Sequence, residues 1–342
     1  MKKLLALLLA LVMTLALAAC GGTTDTQGEA PDGTGDTAQT EEKLTVALVV
    51  AGTFGDRSFY DSSKAGVDRL AADFEKIDVK TIECNNENHD QQLRNAADNA
   101  AIVVAVGWEF YNIETIAPEY PGVDFIWIDN ATSAPVSNVL NITYAQNEGS
   151  FLVGYVAAKM SESGVVGAVG GEDSATINDL IVCIKQGAKN PQADIKVETI
   201  YSNTYDDPAI GKECAITLND KGADVIFQIA SKCGDGVFEA GAERGFYAIG
   251  VDSDQKYIAD DVIICSMMKE VGTSIYDAVK AYVGGDKSLW GTTWVADMSN
   301  GYVGVGYGDE GATQQVSDEI KAEVEALKAS IVDGSIVVDT TR

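Results

Sequence analysis

Short apolar segments alternate with amphipathic segments along most of this chain, and that alternation limits the folds it can adopt. Ten apolar segments are typical of buried strands: Leu44–Val50, Val79–Glu83, Ala101–Val106, Asp124–Ile128, Val139–Tyr144, Gly164–Val169, Ile195–Tyr201, Ala223–Ile229, Phe246–Val251 and Val262–Ser266. Stretches with a helical pattern lie between them, among them Ser62–Lys76, Gln91–Ala100, Asn147–Met160, Pro208–Lys221 and Gly236–Arg244. This order predicts parallel sheets covered on both faces. Because ten strands are more than one open sheet usually holds, we expect two doubly wound α/β lobes.

The C-terminal region predicts one more helix and one more strand. Apolar residues recur at steps of four, four, three and four, which is a helical stripe, at Val316, Ile320, Val324, Leu327 and Ile331. Gly334 then provides a stop signal for the helix, and Ile336–Val338 is predicted as a closing strand.

The N-terminus predicts export. Lys2 and Lys3 precede the apolar run Leu4–Leu17, which is too short for a membrane span, so residues 1–19 are predicted to be a secretory signal. The ending Leu-Ala-Ala-Cys20 resembles the bacterial lipobox, in which the cysteine becomes the lipid-modified first residue. An ordinary signal peptide with an incidental Cys20 is the alternative. Residues 20–43 are polar and predict a disordered tether between a lipid-anchored Cys20 and the folded part.

Composition excludes several functions. With 24 basic and 52 acidic residues, the chain lacks the basic surface that nucleic-acid binding needs. The five cysteines after Cys20 are scattered without a Cys-x-x-Cys pair, which argues against a disulfide framework or a zinc site. His89 is the one histidine and is expected at the surface. A secreted hydrolase would need a nucleophile elbow, and no Gly-x-Ser-x-Gly occurs. We therefore expect neither catalysis nor a cofactor.

One segment matches a dinucleotide-binding pattern. Gly306-Tyr307-Gly308-Asp309-Glu310-Gly311 fits Gly-x-Gly-x-x-Gly. It lies near the C-terminus instead of in a first βα turn, and it places Asp309 and Glu310 where a pyrophosphate would bind. We interpret it as an acidic turn.

Four stretches carry a resemblance to a known family. They are Val46–Gly66, Gly107–Asp129, Asn138–Gly171 and Gly245–Gln255, the last followed by Cys265–Gly272. In this order they resemble the basic membrane protein family of lipoproteins, relatives of the purine-nucleoside receptor of spirochaetes. The resemblance runs from Lys43 to about Tyr282, and the lipobox belongs to the same pattern.

The resemblance implies a type I periplasmic-binding-protein fold, with two lobes joined by three hinge crossovers. We expect lobe 1 to comprise residues 44–146 with about 266–298, and lobe 2 about 147–265 with 299–342. Such proteins deliver nucleosides to an ABC permease in the membrane. A ligand-sensing receptor of the same fold, or a binder of another small polar ligand such as a sugar, is the alternative.

The resemblance also implies which aromatic residues contact the ligand. The aromatic residue of the Asp-x-Ser-Phe stretch stacks on the base in family members; here it is Phe59, with Asp56 and Ser58 beside it. Tyr205 would supply the second aromatic face, since two rings can enclose a heterocycle. Trp108 follows a predicted strand, where an α/β sheet presents its ligand crevice. Each ring could instead belong to the core.

Four charged residues at strand ends are the predicted polar ligands. Asp252 and Asp254 follow a buried strand, and a carboxylate there can accept hydrogen bonds from ribose hydroxyls. Turn formation is the alternative role for both. Lys269 is the matching cationic donor, and Asp129 closes another strand.

The chain departs from the family pattern at three places, one of which is a Gly-rich turn replaced here by residues 231–236. Many relatives carry an aspartate directly after the first strand, where this chain has Val50-Ala51, and an asparagine where it has Tyr60. A lost charged hydrogen bond is worth about 1.5–3 kcal/mol. The sequence therefore leaves open whether the ligand is a purine nucleoside, a different nucleoside, a free base or another small polar ring.

Overall fold

The computed structural model describes residues 43–340, which form 12 strands and nine α-helices. The predicted signal, Cys20 and the tether before Lys43 lie outside the described residues. The strands are β1 Leu44–Val50, β2 Ile77–Glu83, β3 Ile102–Val106, β4 Asp124–Ile128, β5 Val139–Tyr144, β6 Val165–Gly170, β7 Lys196–Tyr201, β8 Val225–Ile229, β9 Tyr247–Asp252, β10 Ile263–Lys269, β11 Thr293–Ala296 and β12 Val303–Gly306. The helices are α1 Phe59–Asp73, α2 His89–Ala97, α3 Ile113–Ile116, α4 Gln146–Met160, α5 Ala175–Lys189, α6 Pro208–Asp220, α7 Cys233–Arg244, α8 Val271–Val283 and α9 Asp318–Val332.

The described strands form two sheets of six strands each. The first sheet has the order β2-β1-β3-β4-β5-β11, and all its pairs are parallel. The second has the order β7-β6-β8-β9-β10-β12, in which β10 and β12 are antiparallel and the other pairs parallel. The two orders correspond strand for strand, so β4 and β9 each hold the fourth place in their sheet. This arrangement confirms the predicted fold class. We call the first sheet with its helices lobe 1 and the second lobe 2.

The chain crosses between the lobes three times. It leaves the first sheet after β5 and enters α4, which packs on α5. It leaves the second sheet after β10 and enters α8, which packs on α1. It returns a last time between β11 and β12. Because β10 continues to Lys269 in the second sheet, the second crossing begins at Glu270.

The core explains why these segments form strands. Val46, Leu48 and Val50 in β1 and Val104 in β3 are fully buried. Helices cover both faces of the central strands, α1 on one face of β1 and α2 on the other, so alternation with polar residues is lost. The apolar runs of the sequence therefore mark the strands closely, while β11 and β12, which carry exposed or half-buried residues, were missed by the prediction.

Two glycines allow α6 and α7 to approach closely. A Cβ on Gly211 would overlap the carbonyl oxygen of Cys233, and one on Gly236 would overlap that of Pro208. The Cys233 N–H donates to the carbonyl of Tyr205 at 3.3 Å, which ties the start of α7 to the loop before α6. This contact positions Tyr205 at the edge of the second sheet.

The C-terminal predictions have mixed outcomes. Helix α9 contains most of the predicted stripe, with Val324 and Ile331 buried. The strand predicted at Ile336–Val338 is wrong, because no strand is formed there. The side chain of Gln186 in α5 instead donates to the Val337 carbonyl at 3.2 Å and accepts the Asp339 N–H at 2.9 Å. A side chain thus satisfies the backbone groups that a strand neighbour would have paired.

Candidate functional site

The carboxyl ends of both parallel sheets open onto one cleft between the lobes. This is where open α/β sheets bind ligands. The space between its walls, including the part open to solvent, is about 890 Å³. Six of the predicted ligand residues line it: Phe59, Trp108, Asp129, Tyr205, Asp252 and Lys269.

A buried charge cluster forms one part of the cleft. Lys269 ends β10 and is 3 % exposed. Its Nζ lies 2.8 Å from Asp129 Oδ2 and 3.4 Å from Asp252 Oδ1, and it also donates to Gln146 Oε1 at 3.2 Å. Asp129 belongs to lobe 1 and Asp252 to lobe 2, so one ammonium group links carboxylates of both lobes. Charge-assisted bonds of this kind are the strong ones in a buried site.

The two aspartates occupy equivalent places in the two sheets. Asp129 directly follows β4 and Asp252 ends β9, and both have a left-handed backbone, with φ of 62° and 64°. Aspartate tolerates this conformation better than most residues. The local turn directs each carboxylate away from its strand and towards Lys269.

Aromatic rings from opposite lobes form the walls. Phe59 begins α1 in lobe 1, and Lys269 Nζ lies 4.8 Å from its ring centroid. Tyr205 comes from the loop before α6 in lobe 2, and its ring lies against Gly171, where any Cβ would overlap it. Trp108 stands at the rim with 52 % of its surface exposed. Phe59 and Tyr205 thus both line the cleft, one from each lobe.

Asp56 and Ser58 lie beside the cleft lining and join the lobes at the start of α1. Asp56 is 2 % exposed and accepts backbone N–H groups of Ser58, Tyr60 and Asp61 at 3.2, 3.0 and 3.0 Å. Burial raises the pKa of Asp56 to about 6, although these three N–H groups lower it. Ser58 Oγ contacts Val251 O and Asp252 Oδ2 of lobe 2, both at 3.0 Å. These residues orient α1 and connect it to the other lobe.

Asp254 lies outside the residues that line the cleft. Its Oδ2 accepts the Gly308 N–H at 2.6 Å and its Oδ1 accepts the Lys256 N–H at 3.1 Å. The segment that resembles a dinucleotide loop thus directs a backbone N–H at a carboxylate of the same lobe. This geometry fits turn formation, the alternative role that the sequence indicated for Asp254.

Further contacts hold the lobes together at the mouth. Arg57 of lobe 1 pairs with Asp235 of lobe 2 at 3.2 Å, and Asn86 Nδ2 donates to Asp206 Oδ2 at 3.0 Å. Lys232 Nζ donates to Thr53 Oγ1 at 2.5 Å. Because these contacts join the two lobes, the lobes are closed over the cleft in this structure.

Sequence reasoning missed several cleft residues. Glu109, Asn86, Asp206 and Ser231 line the cleft but were not predicted as ligands. Glu109 follows Trp108 in the same turn after β3, and Asn86 follows β2. Because ligands bind at the carboxyl ends of parallel strands, both residues could have been predicted from the sequence. Asp206 and Ser231 carry no such distinct signal, because loops after strands contain many polar residues. His89, expected at the surface, is half-buried and packs edge-on against Phe110 with ring centroids 5.6 Å apart.

Fold and cleft together define the class of protein. Two α/β lobes that meet over an aromatic and carboxylate-lined cleft, with three crossings between them, form a substrate-binding protein of the periplasmic-binding type. Within residues 43–340, no group of three or more histidine, cysteine or acidic side chains is placed to hold a metal ion.

Comparison with known families identifies the chain more closely. A family model described as "ABC transporter substrate-binding protein PnrA-like" matches residues 43–342, and the chain belongs to this family. It is 28% identical to basic membrane protein A of Borreliella burgdorferi over 348 residues, 98% of this chain and 96% of that protein. It is 29% identical to basic membrane protein A2 of Borrelia garinii subsp. bavariensis over 299 residues, covering 86% and 87%. The resemblance inferred from the sequence is thereby confirmed.

Solved structures show the same fold. An ABC transporter solute-binding protein from Aeropyrum pernix superposes with a TM-score of 0.76 at 25% identity, covering 86% of this chain and 94% of that one. A solute-binding protein from Conexibacter woesei gives a TM-score of 0.71 at 24% identity, covering 87% and 99%. The chain is therefore an ABC transporter substrate-binding protein, with a small-molecule ligand and a permease as partners, and not an enzyme.

Proteins of this class act outside the cytoplasm. None of the helices within residues 43–340 has the length and apolar character needed to cross a bilayer.

Proposed function

We propose that this protein binds nucleosides, with purine nucleosides as the first expectation, and delivers them to an ABC permease. The observation that carries the proposal is that Phe59 and Tyr205, from opposite lobes, line one cleft together with the carboxylates of Asp129 and Asp252. Flat rings favour stacking on a base, and base–aromatic stacking contributes about 1–3 kcal/mol. The carboxylates can accept hydrogen bonds from the two ribose hydroxyls, with Lys269 holding them in place.

The charge of the cleft supports a nucleoside over a nucleotide. The acidic and basic side chains of its described lining are the carboxylates of Glu109, Asp129, Asp206 and Asp252 and the ammonium of Lys269. This excess of negative charge would repel a phosphate group, because like charges in a partly desolvated cleft repel each other strongly. A neutral, donor-rich ligand fits this environment.

The proposal is tested by identifying the ligand. Protein purified without its first 20 residues is denatured, and the released small molecules are analysed by mass spectrometry; nucleosides are the expected result. Recovery of only sugars or amino acids would contradict the proposal. Calorimetry with inosine, guanosine, adenosine and pyrimidine nucleosides then ranks the ligands.

A pair of variants tests the site itself. Phe59→Ala should weaken nucleoside binding about 10- to 100-fold through the lost stacking. Tyr111→Ala removes a 59 % exposed aromatic outside the cleft lining and serves as the matched control. Equal affinity of Phe59→Ala and the parent would show that the ligand binds elsewhere.

We further propose that a lipid on Cys20 holds the protein at the outer face of the cell membrane. The support is the basic start, the short apolar run and the Leu-Ala-Ala-Cys20 ending. Cys20→Ser should move the protein from the membrane fraction to the soluble fraction. A Cys20→Ser protein that stays with the membrane would contradict lipid anchoring without affecting the ligand assignment.

A further inference from the structure

Glu109 is a cleft residue whose carboxylate is incompletely satisfied. It follows β3 in a short turn, and it lines the cleft together with Gly107. Its Oε2 is buried and has no hydrogen-bond partner among the described residues. A buried acceptor without a donor costs free energy, and such groups in native proteins call for an explanation.

The position of this carboxylate is set by two neighbouring strands. A Cβ on Gly107 would collide with Glu109 Oε2 and would lie 2.9 Å from the Cβ of Ala51. The carboxylate therefore lies over Gly107 and next to Ala51, where β1 and β3 end side by side with Val50 opposite Val106. The end of β1 itself supplies no carboxylate, since Val50-Ala51 is apolar.

The groups around Glu109 favour the binding of a hydrogen-bond donor to its carboxylate. Burial raises the pKa of Glu109, its own backbone N–H and His89 lower it, and the charge of Glu172 raises it. The charge of Glu109 in turn helps to raise the pKa of the nearby groups Tyr60 and Cys84. A ligand that brings N–H donors would remove this unfavourable burial and gain charge-assisted hydrogen bonds.

The first sheet sets the approximate distance between Glu109 and the charge cluster of Lys269, Asp129 and Asp252. Ala51 follows β1 and Asp129 follows β4, and β3 lies between these strands. Because the Glu109 carboxylate lies over Gly107 at the end of β3 and next to Ala51, it stands one to two strand spacings from Asp129, about 5–10 Å. This span is comparable to that from the sugar hydroxyls of a nucleoside to the far edge of its base. With ribose at Asp129 and Asp252, the base edge would meet Glu109.

We propose that Glu109 reads the base edge and selects guanosine, whose adjacent ring N–H and exocyclic amine both donate to one carboxylate. This inference rests on the nucleoside function proposed above. An ionised carboxylate only accepts hydrogen bonds. Inosine offers the ring N–H without the amine, and adenosine presents a ring acceptor next to its amine. The expected order of affinity is therefore guanosine, then inosine, then adenosine.

The test uses the full chain and its Glu109→Gln variant, each titrated with the three nucleosides by calorimetry. Glu109→Gln should lower guanosine affinity about 10- to 100-fold, because it removes a charged acceptor. The glutamine amide both donates and accepts and can pair with adenine. Adenosine should therefore gain relative to guanosine, a change in preference that loss of folded protein would not produce.

Glu114→Gln is the matched control. Glu114 is a partly exposed residue of the same lobe whose carboxylate accepts the Ser133 N–H at 2.9 Å, outside the cleft lining. The Glu114→Gln variant should bind guanosine, inosine and adenosine with the affinities of the parent. Thermal unfolding should show Glu109→Gln at least as stable as the parent, because a buried charge is removed.

The outcomes separate this inference from the proposed function. If the parent protein binds none of the nucleosides, the nucleoside function itself is wrong. If it binds them but prefers inosine or adenosine to guanosine, the role of Glu109 is wrong and the function stands. The same holds if Glu109→Gln keeps the preference order and affinity ratios of the parent.

Discussion

Replacing Lys269 with methionine should abolish tight ligand binding and lower the free energy of unfolding by about 3–5 kcal/mol. Lys269 is 3 % exposed and lies within 2.8 Å of Asp129 and 3.4 Å of Asp252. Methionine approximates the aliphatic stem but has no charge, so two largely buried carboxylates lose their shared cation. Because they belong to different lobes, their repulsion also opposes closure. Denaturant unfolding and ligand titration at neutral pH measure the two effects.

Lys287→Met is the control for this prediction. Lys287 pairs with Asp124 at 2.9 Å, but its side chain is 53% exposed. Pairs at the surface contribute little, so the loss should stay within about 1 kcal/mol. If Lys269→Met unfolds at the same denaturant concentration as Lys287→Met, the buried cluster does not carry the stability assigned to it.

Asp252→Ala should lower nucleoside affinity by about 100-fold or more. The carboxylate of Asp252 lines the cleft, accepts from Ser58 of the other lobe at 3.0 Å and contacts Lys269. Its removal eliminates the proposed hydrogen bonds from the ribose, each worth about 1.5–3 kcal/mol when one partner is charged. It also removes a contact between the lobes that stabilises the closed form. Calorimetry with the best-binding nucleoside measures the loss.

Asp254→Ala provides the comparison, because both aspartates follow the same strand. Asp254 binds the Gly308 and Lys256 N–H groups and does not line the cleft. Its replacement should lower the free energy of unfolding by about 1–3 kcal/mol, since two partly buried N–H groups lose their acceptor. Affinity should change little. A larger loss of affinity for Asp254→Ala than for Asp252→Ala would reverse the assignment of the two carboxylates.

Most of the fold could be predicted because the apolar pattern that marks each strand lies within a few neighbouring residues. The segment Leu44–Val50 reads as a buried strand from its apolar character alone, and Asp124–Ile128 and Val139–Tyr144 do so as well. Strands β11 and β12 were not predicted, because four-residue segments with exposed residues give little periodic signal. The strand expected at Ile336–Val338 failed because the side chain of Gln186, distant in sequence, pairs with that backbone.

The candidate site was predictable in part, for a different reason. Residues at the carboxyl ends of parallel strands meet at one edge of the sheet, so Asp129, Asp252 and Lys269 could be singled out before any geometry was known. The same rule does not say which way a side chain points. Asp56 was grouped with Phe59 by the family pattern, yet its carboxylate caps α1 and lies outside the cleft lining.

The sequence by itself determined the class of fold and the family, because apolar periodicity and ordered motifs are properties of neighbouring residues. Only the tertiary structure decided which polar groups face the cleft. Asp252 and Asp254 are alike in type and two residues apart, and the acceptor role of Asp254 depends on Gly308, more than fifty residues later. The burial of Glu109 depends on Gly107 and on Ala51 in a neighbouring strand. Side-chain direction is set by such long-range contacts, which no local pattern contains.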